Sequence, residues 1–152
     1  MSGQQAPECE FDGNELRVKV DVTVPADVRE ISPVVERVMK EVHALGCAEG
    51  RETDVEIALR EALANAIEHG CERDSTKSVQ CIVACDPTHG ILLIVRDPGP
   101  GFDPGTLPSP VVGRNVFEDH GRGIFLISQL VDEVRFENNG AEIRMRLRPS
   151  SG

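Results

Sequence analysis

The sequence predicts an α/β two-layer sandwich, a mostly antiparallel mixed sheet with helices on one face. Three observations carry this. Leu16 to Val24 (LRVKVDVTV) alternates apolar and polar residues, the two-residue period of a half-buried strand. Two later pairs of apolar runs, each joined by a short turn-rich segment, read as hairpins and so imply antiparallel pairing. Between these lie segments with apolar residues at helical spacing, which need a sheet face to bury their stripes.

The elements follow in order. Pro25 ends the first strand. Ser32 and Pro33 form a helix N-cap and first-turn pair, after which Val34, Val35, Val38, Val42 and Leu45 keep helical spacing until Gly46 stops the helix. Thr53 and Glu56 match a capping box, so a second helix is expected from Thr53, with Val55, Ala58, Leu59, Ala62, Leu63, Ala66 and Ile67 as its core stripe and Gly70 as its end. Val79 to Cys85 and Ile91 to Asp97 are two strands around the turn residues 86–90. Pro98 to His120 has prolines, glycines and no period, and a loop of that length in a compact domain is usually functional. Ile124, Phe125, Ile127, Leu130 and Val131 make a third helix, opened by Gly121-Arg122-Gly123. Val134 to Glu137 and Ile143 to Leu147 form the second hairpin, around Asn138-Asn139-Gly140. The 152 residues suit one compact domain, placed at 15–148 behind a flexible N-terminus at 1–14.

Composition narrows the function classes. Charged residues reach 28% against 39% hydrophobic, a soluble globular balance. The net charge of −10 speaks against direct nucleic-acid binding, which needs a basic footprint. With no long apolar run and no charged-then-apolar start, neither a membrane span nor a secretory signal is expected, and the location expected is the cytoplasm. The 5 cysteines are odd in number and scattered. Cys81 and Cys85 fall on one strand face ~13 Å apart, too far for a shared disulfide or metal, so buried free thiols in a reducing compartment are the expectation.

Three local patterns bear chemistry. Glu61, Asn65 and His69 recur at i, i+4 spacing, about 40° apart in azimuth, and so share one helix edge beside the small Ala62 and Ala66. Asp97-Pro-Gly99-Pro-Gly101-Phe102 follows an apolar strand: the carboxylate can accept a hydrogen bond while the glycines let the backbone approach a flat ligand. Gly121-Arg122-Gly123-Ile124 falls at the expected start of the third helix, where free amides, the helix dipole and a guanidinium favour an anion. The dinucleotide fingerprint fails because Pro104 stands at its third glycine, and no triphosphate-binding G-x-x-x-x-G-K-[ST] loop exists. Neither metal-ligand spacing nor a nucleophile elbow is present.

In their order and separation, Glu-x-x-x-Asn-Ala-x-x-His-Gly on a helix, Asp-x-Gly-x-Gly-Phe after a strand and Gly-x-Gly-Ile at a helix resemble the GHKL ATPase superfamily, which includes gyrase, heat-shock chaperone, sensor histidine kinase and mismatch-repair ATP-binding domains. From Leu16 to Leu147 the chain looks most like the small single-domain branch, the bacterial anti-sigma factor serine/threonine-protein kinases. The resemblance implies the histidine-kinase-like, Bergerat-type ATPase fold with ATP and Mg²⁺ as ligands. It implies that Asn65 supplies an amide oxygen to Mg²⁺, that Glu61 is the base for an attacking hydroxyl, and that Asp97 accepts from the adenine amino group beside Gly99 and Gly101. The stretch from Asp103 to His120 would be the lid over the nucleotide, and Gly121, Arg122, Gly123 and Ile124 would hold the phosphates. An anti-sigma-factor antagonist would be the phosphorylated partner and a sigma factor a second partner, with a homodimer as the assembly. Relatives commonly carry Thr after the glycine of the last hairpin; here Gly140 is followed by Ala141.

Two functions stay open at this stage: a kinase acting on Ser or Thr, and an ATP-binding regulatory module that sequesters a partner without phosphotransfer. A detached histidine-kinase catalytic domain is disfavoured, because no dimerising helical hairpin with a phospho-acceptor His accompanies the motifs.

Overall fold

The computed structural model describes residues 17–72, 74–86, 88–98 and 118–149. The N-terminal stretch 1–14 and the glycines Gly99 and Gly101 lie outside these, as does most of the expected lid.

Strand β1 (Arg17–Pro25) leads through a 3-10 turn (Val28–Glu30) into α1 (Ile31–Leu45). Helix α2 (Glu52–Asn65) ends in a π-helical turn (Ala66–Gly70) before the hairpin β2 (Ser78–Asp86) and β3 (Gly90–Arg96). Helix α3 (Glu118–Leu130) precedes β4 (Glu133–Glu137), a 3-10 turn (Asn138–Gly140) and β5 (Glu142–Leu147). The sheet runs β1-β2-β3-β5-β4, with every neighbouring pair antiparallel. The two-layer arrangement is the expected one, and no parallel pair occurs among the described residues.

Strand alternation places Val79, Cys81, Val83 and Cys85 of β2, Ile91, Leu93 and Val95 of β3, and Ile143, Met145 and Leu147 of β5 in one core with the helices. Helix α2 contributes Val55, Ala58, Leu59, Ala62 and Leu63, all buried, and packs against both α1 and α3. Its alanines bring these neighbours close while its larger residues fill the sheet side. On the far side of the sheet Ala84, Leu92 and Ile94 form a small second cluster.

Two expected caps move. Asp27, not Ser32, opens the first helical segment, its carboxylate accepting from the Arg29 N–H at 2.9 Å. Ser32 and Pro33 instead lie inside the first turn of α1, where a proline removes a donor that would have no partner anyway. The Thr53–Glu56 capping box does not form: α2 begins at Glu52, and its N-cap, Arg51, makes no side-chain capping bond. A tertiary clamp sets this start. The Arg51 guanidinium meets both Asp132 oxygens at 2.8 Å and donates to the Leu130 carbonyl at 2.7 Å, tying the start of α2 to the end of α3. At the end of α1, Gly46 takes the left-handed conformation (φ 67°) and closes the helix as expected.

The clamp has a pH signature. Burial pulls the Asp132 carboxyl upward, but bonds from the Arg148 N–H and Arg51 outweigh it and hold it below the ordinary carboxylate value. With the folded value depressed, its stabilisation is present above the unfolded pKa and is lost as pH falls through the folded one. Asp132→Asn should therefore be less stable than the parent at neutral pH, with the gap closing in acid. Urea midpoints across a pH series check this; a gap that is constant with pH would refute it.

The cysteines depart from expectation. Cys47, in the turn after α1, forms a disulfide with Cys85 at the end of β2, with Cα atoms 5.9 Å apart. Cys81 and Cys85 do share a face, but the partner comes from a distant turn that spacing along one strand does not reveal. The argument for a reducing compartment from free thiols therefore lapses. Cys71 and Cys81 remain free and buried, and burial pushes the Cys81 thiol up to about 12. Among the described residues no helix is long and apolar enough to cross a membrane.

Candidate functional site

The C-terminal half of α2 carries Glu61 and Asn65 one turn apart on the edge facing α3. At the crossing stands Gly123. A Cβ there would lie 3.0 Å from Asn65 Nδ2 and 3.2 Å from Glu61 Oε1, so glycine lets α3 approach the two polar side chains. Gly121–Gly123 lie within α3 rather than ahead of it, because the helix starts at Glu118. Gly123 is thus a packing glycine in mid-helix, and the argument from free N-terminal amides does not apply to it.

The π-helical turn then widens the backbone, carrying His69 and Gly70 towards the end of β3. Gly70 is expected to end the helix through its conformational freedom, but it does not take a positive φ. Its reason is steric: a Cβ there would overlap the Asp97 carboxylate. Asp97 sits one residue beyond β3, with its N–H donating to the Ala141 carbonyl at 2.9 Å.

These elements enclose a cavity of about 230 Å³. Ala62, Ala66, Val95, Ile124, Phe136 and Ile143 give it apolar walls, and Asn65, His69, Gly70, Asp97, Gly140 and Ala141 complete its lining. A second cleft, of about 360 Å³, is lined by Glu61, Ala64, Asn65, Glu68, His69, Gly123 and Leu126. Asn65 and His69 border both spaces, so the two adjoin along one edge of α2. Among the described residues, neither the Glu61 carboxylate nor the Asn65 amide makes a hydrogen bond or ion pair. Both side chains are therefore available to a ligand.

Of the residues expected to form a site, the structure brings Asn65, Asp97 and Ile124 to the first cavity and Glu61, Asn65 and Gly123 to the second. Gly121 and Arg122 are described only as backbone of α3. Ala141 lines the first cavity with Asp97, to whose N–H its carbonyl is bonded, and offers it a methyl group. Sequence reasoning missed Val95, Phe136 and Ile143 as cavity walls. Val95 lies two residues before Asp97 and Ile143 two after Ala141, a spacing that puts each pair on one strand face, and that was the available signal. Among the described residues no three His, Cys, Asp or Glu side chains converge on a metal position. A magnesium ion here would be held by one protein oxygen together with ligand phosphates rather than by a protein cage.

A largely apolar cavity with a carboxylate in its lining suits a purine, and the Asn65 amide and Glu61 carboxylate, without partners among the described residues, suit a phosphate chain and an acceptor. Comparison with known proteins points the same way. The model of the histidine kinase-like ATPase domain matches residues 24–147. A serine-protein kinase, RsbW, of Halalkalibacterium halodurans is 28% identical over 133 residues, covering 83% of this chain and 80% of that protein. The RsbW serine-protein kinase of Staphylococcus aureus is 26% identical over 133 residues, covering 83% and 84%. With the family model spanning the last two residues of β1, all three helices and β2 to β5, and with motif residues lining two adjoining cavities, the chain belongs to the histidine kinase-like ATPase domain family, the GHKL superfamily its motifs resemble.

Proposed function

We propose that the protein is an ATP-dependent serine/threonine-protein kinase whose acceptor is an anti-sigma-factor antagonist, with a sigma factor as a second, sequestered partner. One observation carries the reading: Glu61 and Asn65, both without partners among the described residues, stand on one helix edge where the apolar cavity adjoins the outer cleft.

Adenine occupies the cavity, with its amino group donating to Asp97 and its ring against Ile124, Val95 and Ile143. Gly99 and Gly101, which lie outside the described residues, belong to the same base-binding motif. The phosphates leave past Asn65 towards Gly121, Arg122 and Gly123. The amide oxygen of Asn65 would be the protein ligand for magnesium, which would offset phosphate charge. The acceptor hydroxyl enters the outer cleft, where Glu61 takes its proton as the oxygen attacks. Mass-labelled Mg-ATP incubated with candidate antagonist proteins, followed by phosphosite mapping, tests this. Phosphate on a Ser or Thr supports it. ATP binding with every partner left unmodified would replace it by the sequestering module.

Asn65→Ala addresses the metal directly. Magnesium should strengthen ATP binding to the parent, and this enhancement should shrink by about tenfold in the variant, the scale on which a metal's protein contacts act. Calorimetry with and without Mg²⁺ reads it; equal enhancement in both proteins would remove Asn65 from the metal.

A further inference from the structure

The end of the base cavity is built on a buried charge cluster that the reaction itself does not use. Glu142 opens β5, directly after Ala141, and is only 3% exposed. Its carboxylate accepts from Arg96 Nε at 2.6 Å, Arg144 Nε at 2.6 Å and Asn138 Nδ2 at 3.2 Å. Arg96 also reaches Gln80 Oε1 on β2 at 3.1 Å. Arg96 and Glu142 are the last register pair of β3 and β5. One residue past each stand Asp97 and Ala141, joined by their own backbone bond and both lining the cavity. The two ties run side by side, one between side chains on the outer face and one between backbones at the cavity.

The cluster has a physical reason to be rigid. Burial alone would raise the Glu142 carboxyl, but hydrogen bonds from Arg144 and Arg96 outweigh it and hold it below its ordinary value. A buried carboxylate with charged donors on both oxygens resists displacement, because any movement leaves it unpaired. Strand ends otherwise open easily, and Asp97 sits just beyond one.

We propose that Glu142 is a positioning residue for base selectivity: with Arg96 it fixes the ends of β3 and β5 so that the Asp97 carboxylate stands where the amino group of adenine arrives. This rests on the reading of Asp97 as the adenine acceptor. The probes are ATP and inosine triphosphate, which carries a carbonyl in place of that amino group. Glu142→Gln, which keeps the shape and loses the charge, should weaken ATP by about tenfold, the scale of one charge-assisted hydrogen bond. Inosine triphosphate affinity should stay within about twofold. Arg96→Gln should lower the ATP-to-inosine ratio in the same direction, which guards against one substitution failing for its own reasons. Melting temperatures recorded alongside separate this from a purely structural brace, which would lower stability and leave the ratio intact. An unchanged ratio in both variants, or equal losses for the two nucleotides, would overturn the proposal. Asp97→Asn is the control: if it leaves the ratio untouched, the adenine reading fails first.

Discussion

Glu61→Gln should transfer phosphate at least about 10²-fold more slowly than the parent, the usual contribution of a positioned base, while binding ATP almost as tightly. The separation of effects follows from where Glu61 stands. It lines the outer cleft and not the cavity assigned to the base, so the nucleotide does not depend on it. Its carboxylate makes no bond among the described residues, so neutralising it breaks none of the pairs described, and glutamine keeps the shape beside Gly123. What disappears is the proton acceptor. The opposing view makes Glu61 an ordinary helix-edge residue worth within about ±0.5 kcal/mol of stability and nothing to rate. Single-turnover phosphorylation of the true acceptor separates the two, and a parental rate in Glu61→Gln would remove it from the chemistry.

Asp97→Asn should lower ATP affinity by about 10- to 100-fold, the range of a hydrogen bond to a charged group, with no change for inorganic triphosphate. The substitution is isosteric, which matters because Gly70 packs directly on this carboxylate and leaves no room for a larger group. An amide can still offer an oxygen to the adenine amino group. It also presents its own NH₂, and the acceptor it keeps is weaker. Calorimetry with both ligands reads the difference, and equal losses would move Asp97 out of the base site.

Much of this architecture was legible because it rests on short-range periodicity. The alternation in β1 and the apolar runs of the two hairpins marked the strands, and the alanine-rich stripe of α2 marked a buried helix with one polar edge. Glu61, Asn65 and Asp97 were readable by type and spacing, and the fold brings Asn65 and Asp97 to one cavity. The misses share another cause, since each depends on residues distant in sequence. The start of α2 is set by Arg51 reaching Asp132, which overrides a local capping box. Gly121 and Gly123 have poor helix propensity and so read as a preceding loop, yet a close crossing against α2 makes glycine the residue that fits at 123. Gly70 was assigned to chain reversal when its neighbour Asp97, 27 positions on, is what excludes a side chain. The Cys47–Cys85 bridge joins a turn to a strand end, and pairing of that kind is not written in spacing.

The crossing at Gly123 also bears on how such a protein can diverge. From that contact α3 brings Ile124 to the first cavity and Leu126 to the outer cleft, positions about 160° apart around the helix. One helix therefore separates two linings, with Ile124 on the side of the first cavity and Leu126 on the side of the outer cleft. Duplicated copies of the gene could drift along the Leu126 side and acquire different protein clients while the Ile124 side kept the same fuel. Insulation between paralogous pathways would then come from a single face of one helix, without rebuilding the site that binds the nucleotide.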